Sequence, residues 1–366
     1  MTLVFGWRTA ILAMTAAILI PLAAALWRSL RNRVAARTLA ACLVVLVGVF
    51  TPWMIGFAGF YDRWNWLTFA PFANGLLVPP LLYLHSYALT HDRWPAGGWR
   101  TLVPGLVQFG YQAACFLLPL PIKLRWSDIA RSDGEIIFGL LLALSFILYG
   151  RAAVVLLRRY RSALAAERSD DALFAGCWLT NATIAFGALA MVWAGYLLWD
   201  AASPLGYSGL MPLYAAIAGF ALYLGIAGWR NLAMSFPTFA ELAAPPTAPG
   251  TRDWPALGAR WADMIARNGW YRREALTLRG LAALLGTNAS YLSRALNEGL
   301  GTSFSDFING LRCEDVARSL RSGSQRAVLD LALEAGFASK ASFNRCFRNR
   351  FGMAPNAMRK EASQIE

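Results

Sequence analysis

The chain has 366 residues, of which 57% are hydrophobic and only 15% charged, where soluble domains carry roughly 25% charged residues. That balance excludes a wholly water-soluble protein, and 15 Trp point to a bilayer as the solvent for much of the chain. The formal net charge of +13 is shared by a +7 excess in residues 1–243, which lies in loops between apolar runs, and a +6 excess in residues 244–366, where a compact polar segment implies a polyanionic partner.

Seven apolar runs are long enough to cross a bilayer as helices: roughly 5–27, 38–60, 67–89, 101–119, 136–157, 174–199 and 207–229. The shorter alternating strands of a membrane barrel are absent. The loops 28–37, 90–100 and 158–173 hold ten Arg, whereas 61–66, 120–135 and 200–206 hold four Lys or Arg. This asymmetry predicts that the first set faces the cytoplasm, with the N-terminus outside and the C-terminal segment inside. The first run lacks a small-residue cleavage site before a polar segment, so it reads as a span rather than a cleaved signal peptide.

Polar side chains inside the runs are Asn74, His85, Gln108, Gln112, Arg151, Asn181 and Thr183. Intramembrane polar groups often face a cavity or a neighbouring helix. Asn74, His85, Gln108, Gln112, Arg151 and Asn181 are therefore candidates for a ligand site, although Arg151 reads equally well as a snorkelling side chain. Pro52, Pro79, Pro80 and Pro104 are expected to bend their helices, most of all the Pro79-Pro80 pair. Cys42, Cys115, Cys177, Cys313 and Cys346 have neither disulfide nor zinc spacing, and two histidines make no metal site, so no metal or cofactor is expected.

Residues 237–255 carry Pro237, Pro245, Pro246, Pro249, Pro255 and Gly250 and read as a semi-extended linker. Twenty such residues reach on the order of 60 Å at ~3.1 Å per residue. The expected organisation is a seven-helix transmembrane sensing domain over 1–236, this linker, and an all-helical domain over 256–366.

The C-terminal domain contains two copies of one pattern. Leu281, Ala282 and Leu285 form an apolar face, Gly286 ends that helix, Thr287 or Asn288 caps the next, and Ala289, Leu292 and Leu296 bury one side of it. Ser290, Ser293 and Arg294 are predicted to face outward. A longer helix over about 303–320 follows, with Phe304, Phe307, Ile308, Leu311, Val316 and Leu320 as its stripe. Then Leu331, Ala332 and Ala335 lead to Gly336-Phe337 and a helix capped by Ser339. Phe343 and Phe347 are predicted to point inward, and Lys340, Ser342, Arg345, Arg348 and Arg350 outward. Each copy reads as a helix-turn-helix, the arrangement that lays its second helix in the DNA major groove.

Residues 256–360 resemble the AraC/XylS family of bacterial transcription regulators. The resemblance is carried by Leu281-Ala282, Tyr291-Leu292-Ser293-Arg294, Gly301-Thr302-Ser303-Phe304, Arg312, Ala317, Asp330-Leu331-Ala332, Gly336-Phe337, Ser342-Phe343, Arg345, Phe347-Arg348, Phe351-Gly352 and Pro355. Ala354 stands where the family usually has Ser or Thr, and Met358 where it has an aromatic residue. The resemblance implies two recognition helices on one side of the duplex, in successive major-groove segments about 34 Å apart. It places Ser290, Ser293 and Arg294 at the bases from the first helix and Lys340, Ala341, Ser342 and Arg345 from the second. Arg348, Asn349 and Arg350 are expected at phosphates.

The combined expectation is a non-enzymatic, membrane-embedded, one-component transcription regulator of the bacterial inner membrane. It would bind double-stranded promoter DNA under control of a transmembrane sensing domain. Expected partners are the lipid bilayer, a small-molecule or lipid effector, a second copy of the chain and RNA polymerase. The alternative is a membrane transport or lipid-modifying protein with an autoregulatory DNA-binding tail; the lack of mid-span carboxylates weighs against it.

Overall fold

The computed structural model describes residues 3–174, 176–203, 206–232, 234, 236–242 and 253–365. Among the described residues the regular structure is all helical, apart from one antiparallel bridge pairing Arg168 with Thr277. The chain forms two compact units. One comprises Met1–Leu157 and Cys177–Thr238, the other Arg158–Gly176 and Phe239–Glu366.

The first unit is built on α1 (Trp7–Arg28), α2 (Arg33–Phe57), α3 (Val78–His91), α4 (Val103–Phe116), α5 (Leu120–Glu167), α6 (Cys177–Ala202) and α7 (Met211–Leu232). Helix α2 packs against α1, α3 and α7. Its buried residues Ala35, Leu39, Leu43, Leu46 and Phe50 recur every three or four positions, which is the spacing of a single helical face. A Cβ at Gly225 of α7 would fall 2.9 Å from Leu22 Cδ2, and one at Gly228 would collide with Leu39. Small residues here let apolar helices approach closely, as helix packing in lipid requires.

Among the described residues five helical segments are long and apolar enough to cross a membrane: Trp7–Arg28, Arg33–Phe57, Ile137–Glu167, Trp178–Tyr196 and Met211–Asn231. The runs at 67–89 and 101–119 differ from expectation. Their α-helical parts are 14 residues each, about 21 Å at 1.5 Å per residue, short of the ~30 Å apolar core. Pro79, Pro80 and Pro104 explain the shortening. Each lies in the first turn of its helix, where an absent N–H costs nothing, so these prolines start α3 and α4 instead of kinking longer helices. Pro52 does lie inside its helix, as does Pro21. Residues 120–135, expected as an external loop, belong to the 48-residue α5.

The second unit contains α8 (Trp254–Asn268), α9 (Leu278–Leu284), α10 (Ala289–Arg294), α11 (Phe304–Arg321), α12 (Val328–Glu334), α13 (Lys340–Phe351) and α14 (Pro355–Ile365). Among the described residues these helices gather round two apolar cores. One gathers Trp254, Trp261, Ile265, Leu281, Leu292 and Leu296. The other gathers Val316, Leu320, Leu331, Phe337, Phe343 and Phe347. Helix α11 contributes to both, Phe304 and Ile308 to the first and Cys313, Val316, Ala317 and Leu320 to the second.

Of the expected linker, residues 243–252 lie outside the described residues. Its flanks are structured. Phe239–Leu242 forms a helical turn packed on Tyr160 and Leu164, and α8 begins at Trp254, with Pro255 in its first turn.

Candidate nucleic-acid interface

The two repeated motifs close their turns in the same way. In the first, Thr287 N–H donates to Ala282 O (2.9 Å) and Gly286 N–H to Ala283 O (3.1 Å). In the second, Phe337 N–H donates to Ala332 O (3.0 Å) and Gly336 N–H to Leu333 O (2.9 Å). This pair of bonds satisfies the last carbonyls of a helix and needs a left-handed residue at the turn, which Gly286 (φ +66°) and Gly336 (φ +98°) supply. At Gly336 a side chain is also excluded by space, because a Cβ would stand 2.6 Å from Arg272 O.

The helix after each turn is capped by a side chain. Asn288 Oδ1 accepts from Tyr291 N–H at 2.9 Å, and Ser339 Oγ accepts from Ser342 N–H at 3.2 Å. Ser339→Ala is therefore expected to cost about 1 kcal/mol of local stability. Hydrogen exchange at the first turn of α13 measures it, and unchanged protection would show that the cap is idle.

On α13, Phe343 and Phe347 are fully buried, at 1% and 0% exposure. Helical periodicity then places Ala341, Arg345 and Arg348 on the opposite face with Asn344 at its edge, while Lys340, three positions before Phe343, lies in the first turn on the side of the phenylalanines. All are exposed except Asn344, which is half-buried. Arg350 lies toward the flank of the buried face and pairs with Glu314 at 3.1 Å. Asn349 is exposed beside the stripe.

The corresponding helix of the first motif, α10, is electrostatically different. Arg294 donates to both carboxylate oxygens of Glu298 (2.8 and 3.1 Å), and its guanidinium lies 4.4 Å from the centre of the Trp254 ring. The hydrogen bonds hold the Glu298 carboxyl below its usual range, which keeps the pair ionised near neutrality. Asn297 donates to Ser293 Oγ at 3.2 Å. The face of α10 is thus polar with its one cation compensated, whereas α13 exposes Lys340, Arg345, Arg348 and Arg350, the last paired with Glu314.

A helix-turn-helix family profile matches residues 281–361. The C-terminal domain is an AraC-type helix-turn-helix domain. The AraC-type domain is 34% identical over 92 residues to an uncharacterised helix-turn-helix transcriptional regulator of Staphylococcus aureus (strain MSSA476), a match covering 25% of this chain and 12% of that protein. It is 32% identical over 91 residues to the melibiose operon regulatory protein of Escherichia coli (strain K12), covering 25% of this chain and 30% of that one. This chain therefore spans less than a third of either relative. A solved structure, the C-terminal domain of the response regulator AraT from Geobacillus stearothermophilus, is 27% identical, covers 30% of this chain and 88% of its own, and has a TM-score of 0.27.

Two expected base-facing residues lie elsewhere. Ser290 and Ser342 are each only 7% exposed. Both are in the first turn of their helix, where the preceding helix of the motif packs, so short side chains are covered there. Asn344 and Asn297 were missed by the sequence reading, although helical spacing puts Asn344 between Lys340 and Arg348. The signal was available: a residue three positions after Ala341 and four before Arg348 borders the face they share.

The AraC-type domain also depends on a buried cation. Arg312 of α11 is 1% exposed. It donates to Tyr271 O (2.7 Å), Arg273 O (2.7 Å) and Asn309 Oδ1 (3.1 Å), and lies 5.7 Å from the Phe337 ring centre. Burial lowers its pKa to about 10, so the charge survives at neutrality. Arg312 ties the helix shared by both cores to the 3-10 turn Trp270–Arg272 and its closing residue Arg273, between α8 and α9.

The candidate ligand residues of the first unit divide into separate groups. Gln108 Oε1 accepts from Leu76 N–H (3.1 Å), Gln112 Nε2 donates to Ala73 O (3.0 Å), and Asn74 Nδ2 donates to Pro71 O (3.0 Å). These three serve the non-helical backbone around 71–76, which needs protein partners when it lies at membrane depth. His85 is fully buried on α3, with Nδ1 2.8 Å from Ala35 O and its ring 5.7 Å from Trp178. Arg151 and Asn181 are exposed and join neither group.

Proposed function

We propose that this chain is a membrane-embedded, one-component transcription regulator. Its AraC-type domain binds promoter DNA on the cytoplasmic side, and its apolar helical unit, anchored in the inner membrane with the N-terminus outside, sets the activity of that domain. The observation that carries this reading is one polypeptide joining five membrane-length apolar helices to a paired helix-turn-helix with an exposed cationic stripe. The Arg-rich stretches 28–37 and 158–173, at the ends of membrane-length helices, support the orientation. On this reading Lys340, Ala341, Asn344 and Arg345 approach base edges, and Arg348 and Asn349 approach phosphates. The effector, a partner copy and RNA polymerase complete the proposed set of partners.

The test uses the full chain in lipid nanodiscs and fluorescence anisotropy with duplexes from the promoter of its own gene and from promoters whose transcripts change on its deletion. Phosphate neutralisation predicts a negative log–log salt slope of about 0.9 for each phosphate contacted. Specific duplexes are expected to bind at least about 10³-fold more tightly than scrambled ones. A flat salt response, or equal affinity for every duplex, would overturn the proposal.

A further inference from the structure

The second unit is not continuous in sequence. It includes Arg158–Gly176, the C-terminal end of α5 and the stretch that joins it to α6. Helix α5 runs without interruption from the apolar segment beginning at Ile137 to Glu167, and the chain then pairs directly with the AraC-type domain. Ser169 N–H donates to Leu276 O at 3.1 Å, and Arg168 bridges antiparallel to Thr277. Thr277 is the residue whose side chain caps α9, the first helix of the first motif. On the other side, Asn309 Nδ2 of α11 donates to Ser169 O at 2.9 Å, and Ser305 Oγ of α11 donates to Asp171 Oδ1 at 2.8 Å. Arg279 of α9 stands 3.6 Å from Glu167. Arg168 is held by Asp170 through two 2.8 Å bonds and lies over the Phe174 ring.

These contacts are not surface incidentals. Glu167, Ser169 and Asp170 are 7%, 1% and 6% exposed, and Ser305 and Asn309 are 4% and 3%. Five polar residues in a row, Arg168 among them, would ordinarily be a solvated loop. Here they are desolvated against one domain and spend their hydrogen bonds on it. The Ser169 hydroxyl is buried without a partner, which subtracts from the docking energy. The segment touches the two elements that decide how the recognition helices are held: the cap of α9, and α11, which belongs to both cores.

We propose that residues Glu167–Asp171 form a strap, the point at which membrane helix α5 acts on the DNA-binding domain. When docked, the strap holds the start of α9 against α11 and fixes the two recognition helices in the arrangement that engages the duplex. A movement of α5 that withdraws it loosens that arrangement and weakens operator binding. This rests on the function proposed above and names its route of control.

The experiment again uses the full chain in nanodiscs, comparing wild type with Asp171→Ala, Ser305→Ala and the double variant. None of these residues lies on the recognition stripe. Each single variant is expected to weaken operator binding about fivefold, the lower range of ordinary inter-site coupling, and the double variant no more than either single one. By reciprocity, operator DNA is expected to slow hydrogen exchange at the Ser169 amide in wild type, and Asp171→Ala to abolish that slowing. Unchanged or tighter binding in the variants, or a Ser169 amide indifferent to DNA, would overturn the strap while leaving the regulator intact. Wild-type chain that binds no duplex would overturn both, and that outcome is read before any variant is made.

Discussion

Arg312→Ala is expected to cost the DNA-binding unit about 3–5 kcal/mol, most of the stability of a domain this size. The substitution removes donors to Tyr271 O, Arg273 O and Asn309 Oδ1 and leaves those acceptors enclosed. Each buried acceptor left without a partner costs about 1–3 kcal/mol, and the space vacated beside Phe337 adds a cavity cost. Arg312→Lys separates the contributions. Lysine keeps the charge but lacks the planar fork that reaches two backbone carbonyls at once, so it should recover less than half of the loss. Hydrogen exchange across α9 and α11 in the full chain reports the opening free energy. A loss under about 1 kcal/mol for the alanine variant would mean that water takes over the donors and that Arg312 is no keystone.

Arg345→Ala combined with Arg348→Ala is expected to weaken operator binding about 100-fold at physiological salt. A bidentate contact to a base edge contributes about 1–3 kcal/mol of discrimination, and loss of one phosphate contact reduces the salt slope by about 1. The single variants should therefore differ in kind. Arg345→Ala should relax sequence preference with little change in salt slope. Arg348→Ala should weaken all duplexes alike and flatten the slope. Arg350→Ala is the control: its guanidinium is engaged by Glu314, so its removal should change affinity less than about threefold. Equal behaviour of all three arginines in anisotropy titrations would contradict the assignment of the α13 face.

The helical DNA-binding half was legible because its local signals agree with its packing. Gly286 and Gly336 end helices, Asn288 and Ser339 cap the next ones, and the Phe343–Phe347 spacing marks the buried face. Side chains in the first turn of a recognition helix were less legible. Ser290 and Ser342 have the polarity of surface residues, but their burial is set by the neighbouring helix, and periodicity within one helix does not register a neighbour. The membrane half was misjudged where hydropathy alone was used. Residues 67–77 are apolar enough to pass as half a span, yet the prolines at 79 and 80 mark a helix start, and the backbone before them is served by Gln108 and Gln112. The strap had no signal at all. Glu167–Asp171 reads as a charged loop, and its partners Leu276, Ser305 and Asn309 lie more than 100 residues further along the chain.

The interleaving of the two units bears on how the protein is made. The segment contributed by the α5–α6 connection is synthesised first, and the remainder of its unit begins about 60 residues later, after α6 and α7. At ~10 residues per second the nascent strap waits roughly ten seconds or more for its partners at Leu276, Ser305 and Asn309. The DNA-gripping head thus reaches its final form only after the last two apolar helices have left the ribosome. A head transplanted at the proline-rich junction onto another protein would be born without one of its own pieces.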